Sequence, residues 1–243
     1  MGFKKRVNRE DSIVVSDGDM NEINECFNSL KDNLLYMGDE KENKVLQIES
    51  SMSGEGKTTL ACNLAVSLSF NKKKVLVIDL DFRKPRVHRI FKQQVGDGLV
   101  DYISEKISVE QMIKHTSYDG VDVITRGSVI YNPSFLLTSV RFKELISKLR
   151  DTYDFIILDS PPILQITDYI HISKVSDAIV LVAAYGRTKR AQLRETSKLL
   201  NKDGINVIGT VMTFVDKKDP FSSYYGTYHA SYGEDNTVKR RKA

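Results

Sequence analysis

Cysteine is scarce in this chain of 243 residues, with only Cys26 and Cys62, far apart. Two unclustered thiols exclude a disulfide framework and a cysteine-based zinc site, and they suit a reducing cytoplasm. Histidine is nearly as thin, and His88, His115, His171 and His229 show no metal-ligand spacing. Long apolar runs are missing: nothing approaches the ~18–20 residues of a membrane-spanning helix. The start, Met1-Gly-Phe-Lys-Lys-Arg6, lacks the apolar stretch of a secretory signal, and Arg6 stands where a myristoylation motif needs Ser or Thr. A strong excess of one charge is also absent, since a net charge of +4 is too weak to argue for a nucleic-acid partner. Asp17-Gly-Asp19-Met-Asn21 resembles a calcium loop, but Glu22 replaces the turn glycine and Asn28 the bidentate glutamate, which excludes it. These absences predict a soluble cytoplasmic protein that reaches any membrane through a partner or surface charge.

What is present is ordinary globular material, 41% apolar and 28% charged. A chain this long buries roughly 70% of its unfolded surface, so its core needs no covalent staple. Residues 1–20 are polar and unpatterned and read as a flexible arm. Ile23, Phe27, Leu30 and Leu34 recur at helical spacing and predict a helix over 21–37. Strands follow over 44–50, 75–78, 121–124, 155–158, 178–182 and 207–212, with helices over 57–70, 135–150 and 188–200. This alternation predicts a doubly wound, mostly parallel α/β sheet with helices on both faces. Ligands of such sheets bind beyond the carboxyl ends of the strands. Residues 21–215 thus form the folded domain. From Asp216 the apolar periodicity stops, and 216–243 read as a flexible tail rich in tyrosine and ending in Lys239-Arg-Arg-Lys242.

The sharpest motif is Ser51-Met-Ser53-Gly54-Glu55-Gly56-Lys57-Thr58-Thr59, between the first predicted strand and its helix. Backbone N–H groups of Ser53 to Thr59 form an anion cradle at a helix N-terminus. Gly54 and Gly56 let the main chain approach phosphate closely. Lys57 reaches the outer phosphates of ATP, and the Thr58 hydroxyl holds Mg²⁺. The motif departs from the usual phosphate-loop (P-loop) pattern only in Ser51, which replaces its first glycine. Two acidic clusters follow later strands: Asp79-Leu-Asp81-Phe-Arg83 and Asp159-Ser-Pro-Pro162. Single aspartates at strand ends are usually turn residues, but three in one phosphate-loop chain indicate a metal–phosphate site. A third feature is the crowding of Tyr224, Tyr225, Tyr228 and Tyr232 into a polar tail, where tyrosine has nothing to bury.

A phosphate loop, then a strand ending in D-x-D-x-R, then one ending in D-x-P-P, resembles the bacterial tyrosine kinases of capsular and exopolysaccharide synthesis. The likeness runs from about 22 to 215 and includes Asn132-Pro-Ser134-Phe-Leu-Leu137 and Thr167-Asp168. It implies a P-loop NTPase fold of the partition-ATPase type, with ATP and Mg²⁺ as cofactors. It further implies that Asp79 is the base for the tyrosine hydroxyl and that Asp81 and Asp159 position the metal with Thr58. Tyr224, Tyr225, Tyr228 and Tyr232 become autophosphorylation sites. The separate-kinase branch also implies a membrane-bound polysaccharide co-polymerase as adaptor at the inner face of the membrane, and a cognate phosphotyrosine phosphatase.

The family's Glu and two Arg on the first helix, which join subunits, are here Glu25, Asn28 and Lys31. A ring is therefore not implied, and self-association stays open. Thr213 stands where relatives carry an asparagine near the base. Two other readings remain. A partition or cell-division ATPase switch shares the fold but carries a lysine where Met52 sits, five residues before Lys57. A non-catalytic nucleotide-binding scaffold would have no use for the full set Lys57, Thr58, Asp79, Asp81 and Asp159.

Overall fold

The computed structural model describes residues 12–19, 21–36 and 44–215. Helix α1 (Glu22–Tyr36) precedes strand β1 (Val45–Ser50), helix α2 (Lys57–Ser69) and strand β2 (Val75–Asp79). Three short helices, α3 (Val87–Ile90), α4 (Leu99–Ile103) and α5 (Val109–Met112), lead to β3 (Ile113–His115) and β4 (Val121–Ile124). Then come α6 (Pro133–Thr138), α7 (Val140–Arg150), β5 (Phe155–Asp159), α8 (Tyr169–Ile172), β6 (Ala178–Ala184), α9 (Arg190–Lys202) and β7 (Val207–Thr213). The seven strands form one sheet in the order β3-β4-β2-β5-β1-β6-β7. All neighbours are parallel except β3 and β4. The doubly wound, mostly parallel architecture is as expected.

Central strands read as unbroken apolar runs because both faces are covered. Alternate residues supply opposite cores. Val75 and Val77 pack with Leu60, Leu64 and Leu68 of α2, whereas Leu76 and Ile78 pack with Leu145 and Leu149 of α7. A smaller cluster joins Ile179 to Leu200 of α9.

The expected helix over 135–150 is two helices. Ser139 takes an extended conformation, and its Oγ accepts from Phe142 N at 3.1 Å, capping α7. Helical periodicity runs on across the break, so only the capping chemistry of serine signals it. Strand β3 and the short helices of 87–112 have no periodicity long enough to read. Residues 12–15, expected within the N-terminal arm, lie against α2. The buried Asn63 amide accepts from Val14 N (2.7 Å) and Val15 N (3.3 Å) and donates to Ser12 O (3.1 Å). Val15 is buried as a result. The tail over 216–243, with its four tyrosines, lies outside the described residues. Among the described residues, no helix is long and apolar enough to cross a membrane.

Candidate active site

The carboxyl ends of β1, β2, β5, β6 and β7 converge on the loop 51–56. Gly54 and Gly56 hold left-handed backbone (φ +82° and +91°), which side-chain-bearing residues resist. A Cβ on Gly56 would also meet Thr213 Cγ2 at 3.3 Å. Ser53 and Gly54 are exposed at the loop crest, and Thr58 and Thr59 are half-buried in the first turn of α2. Lys57, the first helical residue, is only 7% exposed.

Glu55, whose backbone N–H belongs to the expected cradle, turns its carboxylate into the protein. It accepts from Met52 N at 3.0 Å within the loop and from Thr188 Oγ1 at 2.5 Å across the sheet. Thr188 Oγ1 in turn accepts from Ala184 N (2.7 Å), and Thr213 Oγ1 donates to Glu55 O (2.7 Å). Ser51, the residue in place of glycine, accepts from Thr196 Oγ1 at 2.9 Å. The phosphate loop is thus fastened to the ends of β6 and β7 and to α9. Thr188→Val keeps the side-chain shape but leaves a carboxylate oxygen of the buried Glu55 without its hydroxyl donor. Hydrogen bonds to charged groups contribute about 1.5–3 kcal/mol, so ADP affinity measured by calorimetry falls about tenfold or more while the chain stays folded. Unchanged affinity would show that the latch does not shape the loop.

The acidic residues come together as a buried pair. Asp79 and Asp159 end neighbouring parallel strands in direct register, which places both side chains on one face. Asp79 is fully buried, with Oδ2 accepting from Arg86 N (3.0 Å) and Val87 N (3.1 Å) and Oδ1 lacking any partner. Neither oxygen of Asp159, nor Ser160 Oγ, makes a hydrogen bond of normal geometry, although the Thr58 hydroxyl is near enough to draw down the proton affinity of Asp159 and that of Ser160 to draw down Glu49. Burial pushes the Asp79 carboxyl well above the usual range, and the Asp159 charge adds to this. Burial likewise raises Asp159 to about 6, against the pull of the Lys57 ammonium. Asp81 is half-buried, and its Oδ1 accepts from Lys84 N at 3.0 Å.

Buried, unpartnered carboxylate oxygens beside a phosphate loop fit a hard divalent cation such as Mg²⁺. That ion takes one or two carboxylates together with waters and nucleotide phosphates. Among the described residues, no group of three or more His, Cys, Asp or Glu side chains could hold a metal. The site therefore fits Mg²⁺ with the nucleotide and not the ion by itself.

Glu49 was not anticipated from sequence. It lies fully buried in β1, with Oε1 accepting from Gln47 Nε2 at 2.7 Å and Oε2 unpartnered. Burial raises its carboxyl to about 8, opposed by the Gln47 hydrogen bond and the Lys57 charge. A folded-state pKa above the unfolded value gives stability that is complete below about 4.5 and lost as pH rises through about 8. Glu49→Gln removes the titration. Between pH 6 and 9 the ligand-free wild type therefore loses on the order of 2–3 kcal/mol more stability than the variant. Thermal unfolding at the two pH values checks this, and parallel curves for the two proteins would contradict it.

On α1, Glu25 is exposed, whereas Lys31 is buried and committed within the chain. Its Nζ donates to Asn28 Oδ1 (3.1 Å) and to Asn71 Oδ1 at the end of α2 (2.7 Å). Near the site's rim, Arg187 lies over the Phe214 ring at 3.9 Å.

Comparison with known proteins gives concordant findings. Residues 43–206 match the family described as AAA domain. The chain is similar to the tyrosine-protein kinase YwqD of Bacillus subtilis, with 34% identity over 93% of this chain and 94% of that protein. Among solved structures it resembles the kinase domain of the Escherichia coli tyrosine kinase ETK. The TM-score is 0.77 and the identity 32%, covering 81% of this chain and 77% of that one. It also resembles the chimerical protein CapA2B2, with a TM-score of 0.79 and 30% identity, covering 82% and 88% of the two chains.

Proposed function

The chain belongs to the AAA-domain family and, within it, to the bacterial tyrosine-protein kinases, and on that premise we propose that it phosphorylates its own tail to regulate capsular or exopolysaccharide synthesis. It is a protein-tyrosine kinase; the acceptors, the site roles and the partners are the proposal. The observation that carries the site assignment is the buried strand-end pair Asp79 and Asp159 beside the phosphate loop, with Asp79 Oδ1 and both Asp159 oxygens left without a well-formed hydrogen bond.

In this reading the N–H groups of 53–59 and the Lys57 ammonium bind the phosphates of ATP. Thr58, Asp81 and Asp159 would hold Mg²⁺. When bound, that ion neutralises charge on the phosphate oxygens. Asp79 orients the tyrosine hydroxyl and takes its proton through Oδ1, and its raised proton affinity suits a base working on a hydroxyl whose unperturbed pKa is ~10. Asp79 has no exposed surface, so an acceptor reaches it only after a local rearrangement. The acceptors are Tyr224, Tyr225, Tyr228 and Tyr232, and each phosphate adds about −1.5 to −2 charges to a basic tail. Partners are a membrane-bound polysaccharide co-polymerase that recruits the chain to the inner face of the membrane, and a phosphotyrosine phosphatase that resets it. The committed Lys31 supplies no free cation for a helix-mediated ring.

The test is the fate of γ-labelled phosphate. Label on protein tyrosine, in amounts matching the ADP formed, supports the reading. Release of nearly all label as free phosphate would return the ATPase switch as the better account.

A further inference from the structure

Beside the catalytic aspartates lies a cavity of about 410 Å³ lined by Arg83, Lys84, Arg86, His88, Arg89 and Arg126, with no acidic residue in its lining. Its volume falls in the range of cavities that hold small molecules or single side chains. Arg126 is oriented by neutral groups: Nε donates to Gly127 O (3.2 Å) and an Nη to Phe82 O (3.3 Å). Arg83 is matched from outside the cavity by Asp168, at 3.0 Å. His88 sits among these cations. Its proton affinity is lowered by partial burial and further by Arg89, Arg126 and Lys114. Lys114 donates to Gln94 O and Thr125 Oγ1, both at 3.1 Å, and feels the charges of Asp97 and Asp101, the latter tied up by Gly98 N and Ser128.

The cavity adjoins the catalytic centre: Arg86 lines it, and its backbone N–H donates to the buried Asp79 at 3.0 Å. An anion seated there stands beside the carboxylate proposed to receive the tyrosine proton. The tail offers such an anion at a suitable spacing. After Asp219 its only acids are Glu234 and Asp235, two and three residues beyond Tyr232, a span of at most about 7–11 Å. The last described residue, Val215, lies 17 residues before Tyr232, roughly 55–60 Å of extended chain.

We propose that this basic cavity is a substrate-docking subsite that takes the carboxylates of Glu234 and Asp235, from this chain or a second copy, and so presents Tyr232 as the first acceptor. The proposal rests on the tail-kinase reading above. The phosphate then added to Tyr232 can occupy the same cavity and present Tyr228, four residues earlier. Phosphorylation accordingly runs from Tyr232 toward Tyr224. In each transfer the tyrosine oxygen bonds the γ-phosphorus as the bond to the β,γ-bridging oxygen breaks. ADP leaves with that electron pair, and the tyrosine proton passes to Asp79.

The test titrates fluorescent peptides of residues 227–236 into the full chain at low salt with ADP present, following anisotropy. Arg89→Glu and, as a second exposed position, Lys84→Glu weaken binding of the natural peptide about tenfold. The E234Q/D235N peptide binds the unaltered chain about tenfold more weakly, and an E234K/D235K peptide recovers affinity for the Arg89→Glu chain. A phosphotyrosine at 232 in the E234Q/D235N background restores binding to the unaltered chain, separating phosphate from carboxylate as the occupant. Equal affinity across all pairs overturns the docking subsite, whatever the kinase does. Charge-dependent binding with no phosphotyrosine formed keeps the subsite and sinks the kinase reading instead.

Discussion

Replacing Lys57 with methionine lowers tyrosine phosphotransfer by about 10³-fold while the chain remains folded. Lys57 is nearly buried at the start of α2, where, in the proposed site, helix N–H groups and its ammonium would meet the same phosphates. Loss of a single preorganised donor to a developing charge costs about 10²–10³ in rate, and this residue also supplies a full positive charge in a site largely shielded from water. Methionine keeps most of the apolar stem, so the packing of α2 under the sheet survives. Because the Lys57 charge draws down the proton affinities of Asp159 and Glu49, the variant's carboxylates bind protons more tightly. Its ligand-free stability at neutral pH therefore falls, but modestly. Phosphotyrosine formation and the unfolding midpoint, measured on the same preparation, separate the two effects. Activity within tenfold of the wild type would remove Lys57 from the site.

Asp159→Asn is expected to cut activity more than 100-fold and yet stabilise the ligand-free protein. The reason is the sign of the linkage. Burial lifts the folded-state value of Asp159 to about 6 from 3.8, so the stability it contributes is complete below about 3.8 and is lost as pH rises through about 6. A shift of that size corresponds to on the order of 3 kcal/mol at pH 7.5. Asparagine removes the charge that faces Asp79 and so recovers much of this. With nucleotide and Mg²⁺ the order reverses, because the wild type gains a ligand for its unpartnered oxygens and the variant does not. Unfolding scans with and without Mg²⁺–ADP read both signs. A variant less stable than wild type in both conditions would mean that Asp159 is a structural residue.

Local chemistry made much of this site legible. The phosphate loop is a contiguous nine-residue string whose glycines, lysine and threonines each have a reason, and the strand-end aspartates follow from apolar runs that stop at an acid. The alternation of strands and helices likewise determined the sheet, because unbroken runs such as Val75-Leu-Val-Ile78 need cover on both faces. What stayed hidden depends on distant pairing. Glu55 reads as a loop residue, and only the fold brings it to Thr188, 133 positions away. Arg126 is silent until β4 sets it beside 83–89. Glu49 looks like one polar residue in a strand, and its burial between β5 and β6 is a property of the sheet. Ser139 failed for the opposite reason: the capping signal was local, but the helical period on either side overrode it.

Phosphosite mass spectrometry on the full chain, co-expressed with the proposed membrane adaptor and set beside the Lys57→Met variant, tests the kinase site and its acceptors together. Phosphate is expected on Tyr224, Tyr225, Tyr228 or Tyr232 in the wild type and on none of them in the variant. An unmodified tail in both proteins, with ATP still hydrolysed by the wild type, would contradict the tail-kinase reading.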